Sequence, residues 1–431
     1  MKPTPSVLFV SYCFPPDAQV GGLRLARFCK YLPEFGLQPI VLTVQERLYE
    51  TLDHEFPWDR AIRVERTEAT ATPLQLYRRW RSPSDQADGS VAAPPKRQGF
   101  LKRHVIALLG TPDRYWGWYL PAVRAGQRLL RQERIVAMVS SGPPWISHLV
   151  ARRLKLGNPA VRWLADFRDP WAQALVPQEF PGWRKAINRR LEASIVSTAD
   201  LVICNTDRLL QSFRDSYPAL PAEHFFTLTN GFDDAPSLGA VANPPDGSRL
   251  ALHLGDIYDG RRIDTFCRAL ARLWESNRLD SSWRVKFVGG IDTGVADAAV
   301  RDLPEAARGR IQFEPRVGWT RGQETLRAAD VLLLFQGGSG LQVPAKFYEY
   351  LQTGKPIFAV TERGATTDAI EATGAGLWAN PGDPTRIAET FLRVLELPSD
   401  VQAEVRLQRE SRYHYRALTA SLAAQVRTVA Q

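Results

Sequence analysis

Residues 327–360 read RAADVLLLFQGGSGLQVPAKFYEYLQTGKPIFAV, and this stretch decides the fold. An apolar run, VLLLFQ, ends in the glycine-rich GGSG; a segment of helical spacing follows, with Pro344 near its first turn. A second apolar run, PIFAV, closes the unit. Uniformly apolar strands alternating with helices belong in a parallel sheet covered on both faces. Lys346 and Glu349 stand three residues apart on the helix, just past the glycine loop.

The same alternation runs the length of the chain. VLFVSY, PIVLTV, IVAMVS, VRWLADF, LVICNT and FFTLTNGF precede residues 233–248, and RLALHLGD, RVKFVGG, RIQFEPRV, DVLLLFQGG, KPIFAV and AGLWANPG follow them. Segments 22–35, 184–199, 261–276, 321–329 and 384–395 have helical apolar spacing. Twelve strands exceed one compact open sheet, and residues 233–248 have the composition of a linker. The expected fold class is therefore α/β, with two Rossmann-like, doubly wound parallel-sheet domains facing a cleft. The domains are placed at 1–235 and 248–398, with a basic insertion at about 67–134. Residues 399–431 form a C-terminal helical segment.

Composition narrows the function. The chain has 431 residues, 44% hydrophobic and 23% charged, as in a soluble globular protein, and no apolar run approaches the roughly 18 residues of a membrane span. MKPTP leads directly into a strand-like run, so a cytoplasmic location is expected. Cys13, Cys29, Cys204 and Cys267 are scattered, without zinc-ligand spacing, and are expected to be reduced and buried. No structural or catalytic zinc site is expected from them. Of the net charge of +9, residues 73–134 contribute +8, twelve Lys or Arg against four Asp or Glu. Bases alternate there with Trp, Tyr and Phe. Two readings stand: a solvated insertion, or a patch that lies on the inner face of an anionic membrane with Trp and Tyr at headgroup level. No nucleic-acid module accompanies the patch, so no nucleic-acid partner is expected.

Candidate site residues cluster at strand ends. Gly21 and Gly22 open a helix after the first strand, where freed amides can face an anion, or where the glycines simply permit a tight turn. Asp166, Arg168 and Asp169 leave the carboxyl end of VRWLADF, either as functional groups or as a local ion-pair network. His148 falls within a helix and reads as structural. In the second half Gly255 permits close approach of a ligand, and Arg261 and Arg262 begin a helix whose positive end calls for a compensating anion such as phosphate. A pyrophosphate could rest on the loop of Gly338, Ser339 and Gly340, with Lys346 supplying charge and Glu349 accepting ribose hydroxyls. The plain alternative for Lys346 and Glu349 is a surface ion pair worth about 0.2–0.5 kcal/mol.

The order of these pieces resembles a family 4 glycosyltransferase. The likeness is carried by FPP…GGLRLARFCKYLPEFGLQPIVLT, LVICNTDRLLQSF with LTNGFD, LHLGDIYDGRR, and above all residues 327–360; it covers nearly the whole chain outside about 67–100. It implies the GT-B fold, a C-terminal helix crossing back onto the first domain, and retaining transfer from a nucleotide-sugar co-substrate without bound metal. The acceptor would be a glycan, a lipid-linked or a small molecule, in cell-surface polysaccharide or glycoconjugate synthesis. Arg261, Arg262, Lys346 and Asp166 become candidate catalytic residues. Gly21, Gly22, Gly255, Val317, Gly338, Ser339, Gly340, Leu341 and Glu349 become donor-side candidates, and Ser141, Arg168 and Asp169 acceptor-side candidates. Leu341 replaces the glutamate often found eight residues before Glu349, Asp256 replaces an arginine, and SSGPP (140–144) stands where a histidine is frequent. A sugar-nucleotide epimerase of the same fold and a non-catalytic binding relative are the other classes.

Overall fold

The computed structural model describes residues 4–71, 110–111, 113–172, 182–234, 247–257, 261, 263–338, 340–397 and 412–431. Most of the basic stretch 73–112, most of the linker, Arg262, Ser339 and 398–411 lie outside them. The chain forms two compact units, residues 1–229 with 418–431, and residues 230–417.

The first unit holds a seven-stranded parallel sheet: β1 (Ser6–Val10), β2 (Gln38–Val44), β3 (Arg63–Thr67), β4 (Ile135–Gly142), β5 (Arg162–Phe167), β6 (Leu201–Cys204) and β7 (Phe225–Thr227), in spatial order β3-β2-β1-β4-β5-β6-β7. Its helices are α1 (Val20–Tyr31), α2 (Tyr119–Gln132), α3 (Ile146–Gly157), α4 (Gly182–Thr198) and α5 (Asp207–Ser216). The six expected strands of this half are present. β3, RVERT, is additional; it is an edge strand whose alternate charges hide it from an apolar-run search.

The second unit carries six parallel strands: β8 (Arg249–Leu254), β9 (Trp283–Val288), β10 (Ile311–Glu314), β11 (Val331–Gln336), β12 (Ile357–Thr361) and β13 (Gly376–Ala379), ordered β10-β9-β8-β11-β12-β13. Between them run α6 (Ile263–Glu275), α7 (Thr293–Val300), α8 (Glu305–Arg308), α9 (Trp319–Ala328), α10 (Ala345–Thr353), α11 (Ala365–Thr373) and α12 (Pro384–Leu395). The core is aromatic: Phe266 of α6 lies 5.4 Å from Phe335, 5.9 Å from Phe358 and 5.7 Å from Phe391, ring centre to ring centre. The final helix, α13 (Tyr415–Ala430), belongs from Leu418 onward to the first unit.

Each sheet reverses its winding once, at β1/β4 and at β8/β11. At such a point the loops leaving two neighbouring strands turn to opposite faces and open a crevice at the carboxyl ends.

One charged cluster fastens the first unit internally. Arg24 of α1 is 1% exposed; its Nε and Nη2 donate to the two Asp166 oxygens at 3.2 and 3.0 Å, and its Nη groups reach the carbonyls of Leu228 (2.8 Å) and Thr229 (2.5 Å). Ser141 Oγ donates to Asp166 Oδ2 at 2.7 Å. The fork ties α1 to β4, β5 and the segment leaving β7. Removing one member leaves a buried charge unopposed, so Arg24→Met should cost about 3–5 kcal/mol. Urea titration checks this, and adding Asp166→Leu should return part of the loss; equal midpoints for wild type and Arg24→Met would deny the cluster its structural role.

Candidate functional site

The crevice of the second unit is built where β8 and β11 part. Their paired register runs through Val331↔Ala251 and Leu332↔Leu252. Beyond it, side chains take over the bonds of the ladder. His253 Nδ1 lies 2.8 Å from the Leu333 carbonyl, and the Leu254 amide donates to the Tyr350 hydroxyl at 2.9 Å. Tyr350 and Lys346 both come from α10, one helical turn apart.

Lys346 thereby reaches back over the end of β8. Its Nζ lies 3.1 Å from His253 Nε2, and a Cβ added at Gly255 would stand 2.6 Å from that Nζ. Gly255 has φ +121°, a conformation open chiefly to glycine, so the residue is required twice over, by backbone and by space. Lys346 is half-buried, with its Nζ set between His253 and Gly255. Desolvation, and next the charge of Arg261, pull its pKa down to about 7, against a smaller opposing pull from Asp256 and Glu349. His253 is fully buried; desolvation and the Lys346 charge hold it far below the usual histidine range, so the ring is neutral.

Arg261 donates from Nη1 to the Asp256 carbonyl at 2.5 Å. The Asp256 carboxylate accepts from the Gly290 amide at 2.8 Å and pairs with Arg316 at 2.5 Å, so it ties the ends of β8 and β9 together. The glycine loop is fastened on its other side: the Ala365 amide donates to the Gly340 carbonyl (2.7 Å) and Thr366 Oγ1 to that of Gln342 (3.0 Å). With Gly338, Arg363 and Asn380 these residues line an open hollow of about 240 Å³ at the ends of β11–β13. Leu341 is half-buried in the turn before α10. Val317 packs against the core beneath β8. Glu349 is half-buried on α10, and its charge acts on Lys346 without an ion pair between the two among the described residues.

In the first unit several candidates turn out to be structural. Asp166 is 2% exposed and Ser141 is fully buried, and both are consumed by the Arg24 cluster. A carboxylate that takes three hydrogen bonds from within the protein and is shut from solvent is not presented to a reactant, so Asp166, expected as catalytic, and Ser141, expected on the acceptor side, sit here in an internal clamp. Gly21 and Gly22 are close-packing positions: added Cβ atoms would meet the Arg168 guanidinium at 2.0 Å and the Phe14 backbone at 3.0 Å. Arg168 and Asp169 are half-buried past β5. His148 is buried in α3, stacked on Phe167 at 4.5 Å and bonded through Nδ1 to Ser140 Oγ at 2.7 Å; burial lowers its pKa to about 3. All four cysteines are free and buried. Trp118, in the stretch that one of two readings lays on a membrane surface, is fully buried and donates to Thr67 Oγ1 at 2.8 Å.

Sequence reasoning missed His253 and Tyr350. The available signal was a histidine inside LALHLG, a strand otherwise buried and apolar: a polar residue at such a position must have an assigned partner.

Comparison with known proteins finds a family match over part of the chain. Residues 248–397 match the family described as Glycosyl transferases group 1. A stretch of 151 residues is 33% identical to a probable glycosyltransferase, WbjE, of Pseudomonas aeruginosa, covering 32% of this chain and 37% of that protein, so the match spans little more than a third of the relative's length. Among solved structures, Anabaena HepE in complex with UDP and glucose aligns over 98% of this chain and 99% of its own, with a TM-score of 0.62 at 15% identity. Sucrose-phosphate synthase from Thermosynechococcus elongatus aligns over 99% and 98%, with 0.63 at 15%. These likenesses establish the GT-B architecture.

The enclosed ammonium has a measurable signature. Because the folded-state pKa of Lys346 lies below that of the unfolded chain, the unfolded state binds more protons between about pH 7 and 10.5. Lys346 therefore opposes folding below pH 7, and that cost is relieved as pH rises through the window. Melting temperatures of wild type minus Lys346→Met, taken from pH 6 to 10, should rise with pH; a flat difference would show an ammonium that is fully hydrated.

Proposed function

We propose, on the premise that residues 248–397 are a group 1 glycosyl transferase domain, that this protein moves a glycosyl group from a nucleoside-diphosphate sugar to a hydroxyl acceptor. The observation that carries the reading is the Lys346 ammonium at the mouth of the β8/β11 crevice beside Gly255, with no carboxylate in ion-pair contact among the described residues. A buried cation without an anion is costly, and an incoming diphosphate supplies one.

In the transfer the bond from the sugar's anomeric carbon to the β-phosphate oxygen breaks and a bond to the acceptor oxygen forms. The acceptor's proton leaves with the nucleoside diphosphate or goes to solvent. Negative charge grows on the departing diphosphate, and Lys346 with Arg261 would stabilise it where water is scarce. Arg262, expected beside them, would add to this. We read the transfer as independent of a divalent ion, because these cations would carry the neutralisation themselves, and as retaining on the strength of the resemblance to family 4 glycosyltransferases alone. Glu349, one turn beyond Lys346, would accept the ribose hydroxyls. UDP bound to the structural neighbour HepE makes uridine diphosphate the first nucleotide to test. The acceptor class, glycan, lipid-linked or small molecule, and a place in surface-polysaccharide synthesis at the cytoplasmic side of a membrane, belong to the proposal as well.

Calorimetric titration with UDP, and turnover of UDP-glucose with and without EDTA, test this reading. Glu349→Gln removes a charged acceptor worth roughly 1.5–3 kcal/mol, so UDP affinity should fall about tenfold to a hundredfold with the fold intact. Lys346→Ala should slow turnover more than it weakens binding, since the charge it meets is largest in the transition state. Unchanged UDP affinity in Glu349→Gln, together with full turnover in Lys346→Ala, would remove the donor site from this crevice.

A further inference from the structure

The Lys346 ammonium makes one hydrogen bond among the described residues, and its partner is an imidazole. His253 lies fully buried in β8, with Nδ1 2.8 Å from the Leu333 carbonyl. A carbonyl only accepts, so Nδ1 carries the ring hydrogen and Nε2 presents a lone pair. That lone pair is what faces Lys346 Nζ at 3.1 Å. The pairing register of β8 and β11 ends at Leu252, which leaves the Leu333 carbonyl open to the ring; the splay of the strands thus fixes the tautomer.

We propose that His253 is a positioning residue for Lys346: its Nε2 lone pair holds the amine against Gly255 and favours the protonated form that an incoming diphosphate requires. The diphosphate clause rests on the function proposed above, whereas the imidazole–amine pairing does not. Among the described residues, the charged groups acting on Lys346 do so without an ion pair to it. Arg261, ahead of α6, disfavours the ammonium; Asp256 after β8 and Glu349 on α10 favour it. Tyr350, the remaining titratable neighbour on α10, is engaged with the main chain of Leu254. His253 is the group in contact. Withdrawing an acceptor from an ammonium destabilises the charged form.

The test separates the two clauses. Labelling of Lys346 by trinitrobenzenesulfonate, read by peptide mass spectrometry from pH 5 to 10 on the full-length protein, reports the titration of the amine. The wild-type midpoint is expected near 7. His253→Met should lower it by about one pH unit, and His253→Gln, whose amide oxygen can accept, should restore it. UDP affinity at pH 8 should fall about tenfold in His253→Met, recover in His253→Gln, and come within about twofold of wild type at pH 6, where the amine is at least half charged in each. A histidine that merely fills space predicts equal labelling midpoints in wild type and His253→Met, and that result overturns the proposal. A shifted midpoint without UDP binding in the wild type would uphold His253 and discard the diphosphate reading. Should His253→Met fail to fold, long-range proton–nitrogen NMR of the wild-type imidazole decides: a hydrogen on Nδ1 supports the pairing, and one on Nε2 overturns it.

Discussion

An ammonium that, among the described residues, touches an imidazole and no carboxylate is the constraint around which the crevice of the second unit is arranged. Lys346 can be kept there only if a neutral acceptor meets it, and His253 is neutral because it is buried beside a cation. The imidazole in turn needs a carbonyl for its Nδ1 hydrogen, which the parting of β8 and β11 provides. Gly255 must lack a side chain so that the amine can approach the backbone. Each of these residues is explained by the one before it, and the sequence of reasons begins with a positive charge that no described carboxylate touches.

The corresponding switch point of the first unit is organised in the opposite way. There the buried cation, Arg24, is fully answered: Asp166 takes two of its donors and the Leu228 and Thr229 carbonyls take others. A satisfied cluster of this kind rigidifies the joint between α1, β4, β5 and the end of β7. The contrast shows how the same residue types serve two ends. A saturated arginine–aspartate fork is architecture; an amine with one neutral contact has valence left for a ligand. Residue type and strand-end position alone do not distinguish the two, which is why Asp166 and Lys346 look equally functional in the sequence.

Much of the fold is legible in the amino-acid order, because apolar runs bounded by glycine and proline mark each strand and periodic segments mark the helices between them. The six strands of the second unit and five of its companions in the first follow from pattern, as does β7 with its short run; β3 does not, since an edge strand carries charges on both rims. The helical tail was legible as a helix, but its assignment to the first unit from Leu418 onward is a matter of packing. The aromatic sequence around Tyr115 and Trp118 suggests a surface belt, yet Tyr115 packs 4.3 Å from Tyr12 and Trp118 lies inside, because an aromatic residue reads the same whether it faces lipid or a core.

What the sequence determined by itself is the alternation of strand and helix, the glycine loop before α10, and the presence of Lys346 and Glu349 on its first turns. These are local, set by spacing along one chain segment. What only the tertiary structure decided is which charges are left unanswered. His253 and Lys346 are 93 residues apart, and Arg24 and Asp166 are 142 apart. Whether a charge is paired depends on the pairing order of the strands and on where their register ends, and no window of sequence contains that information.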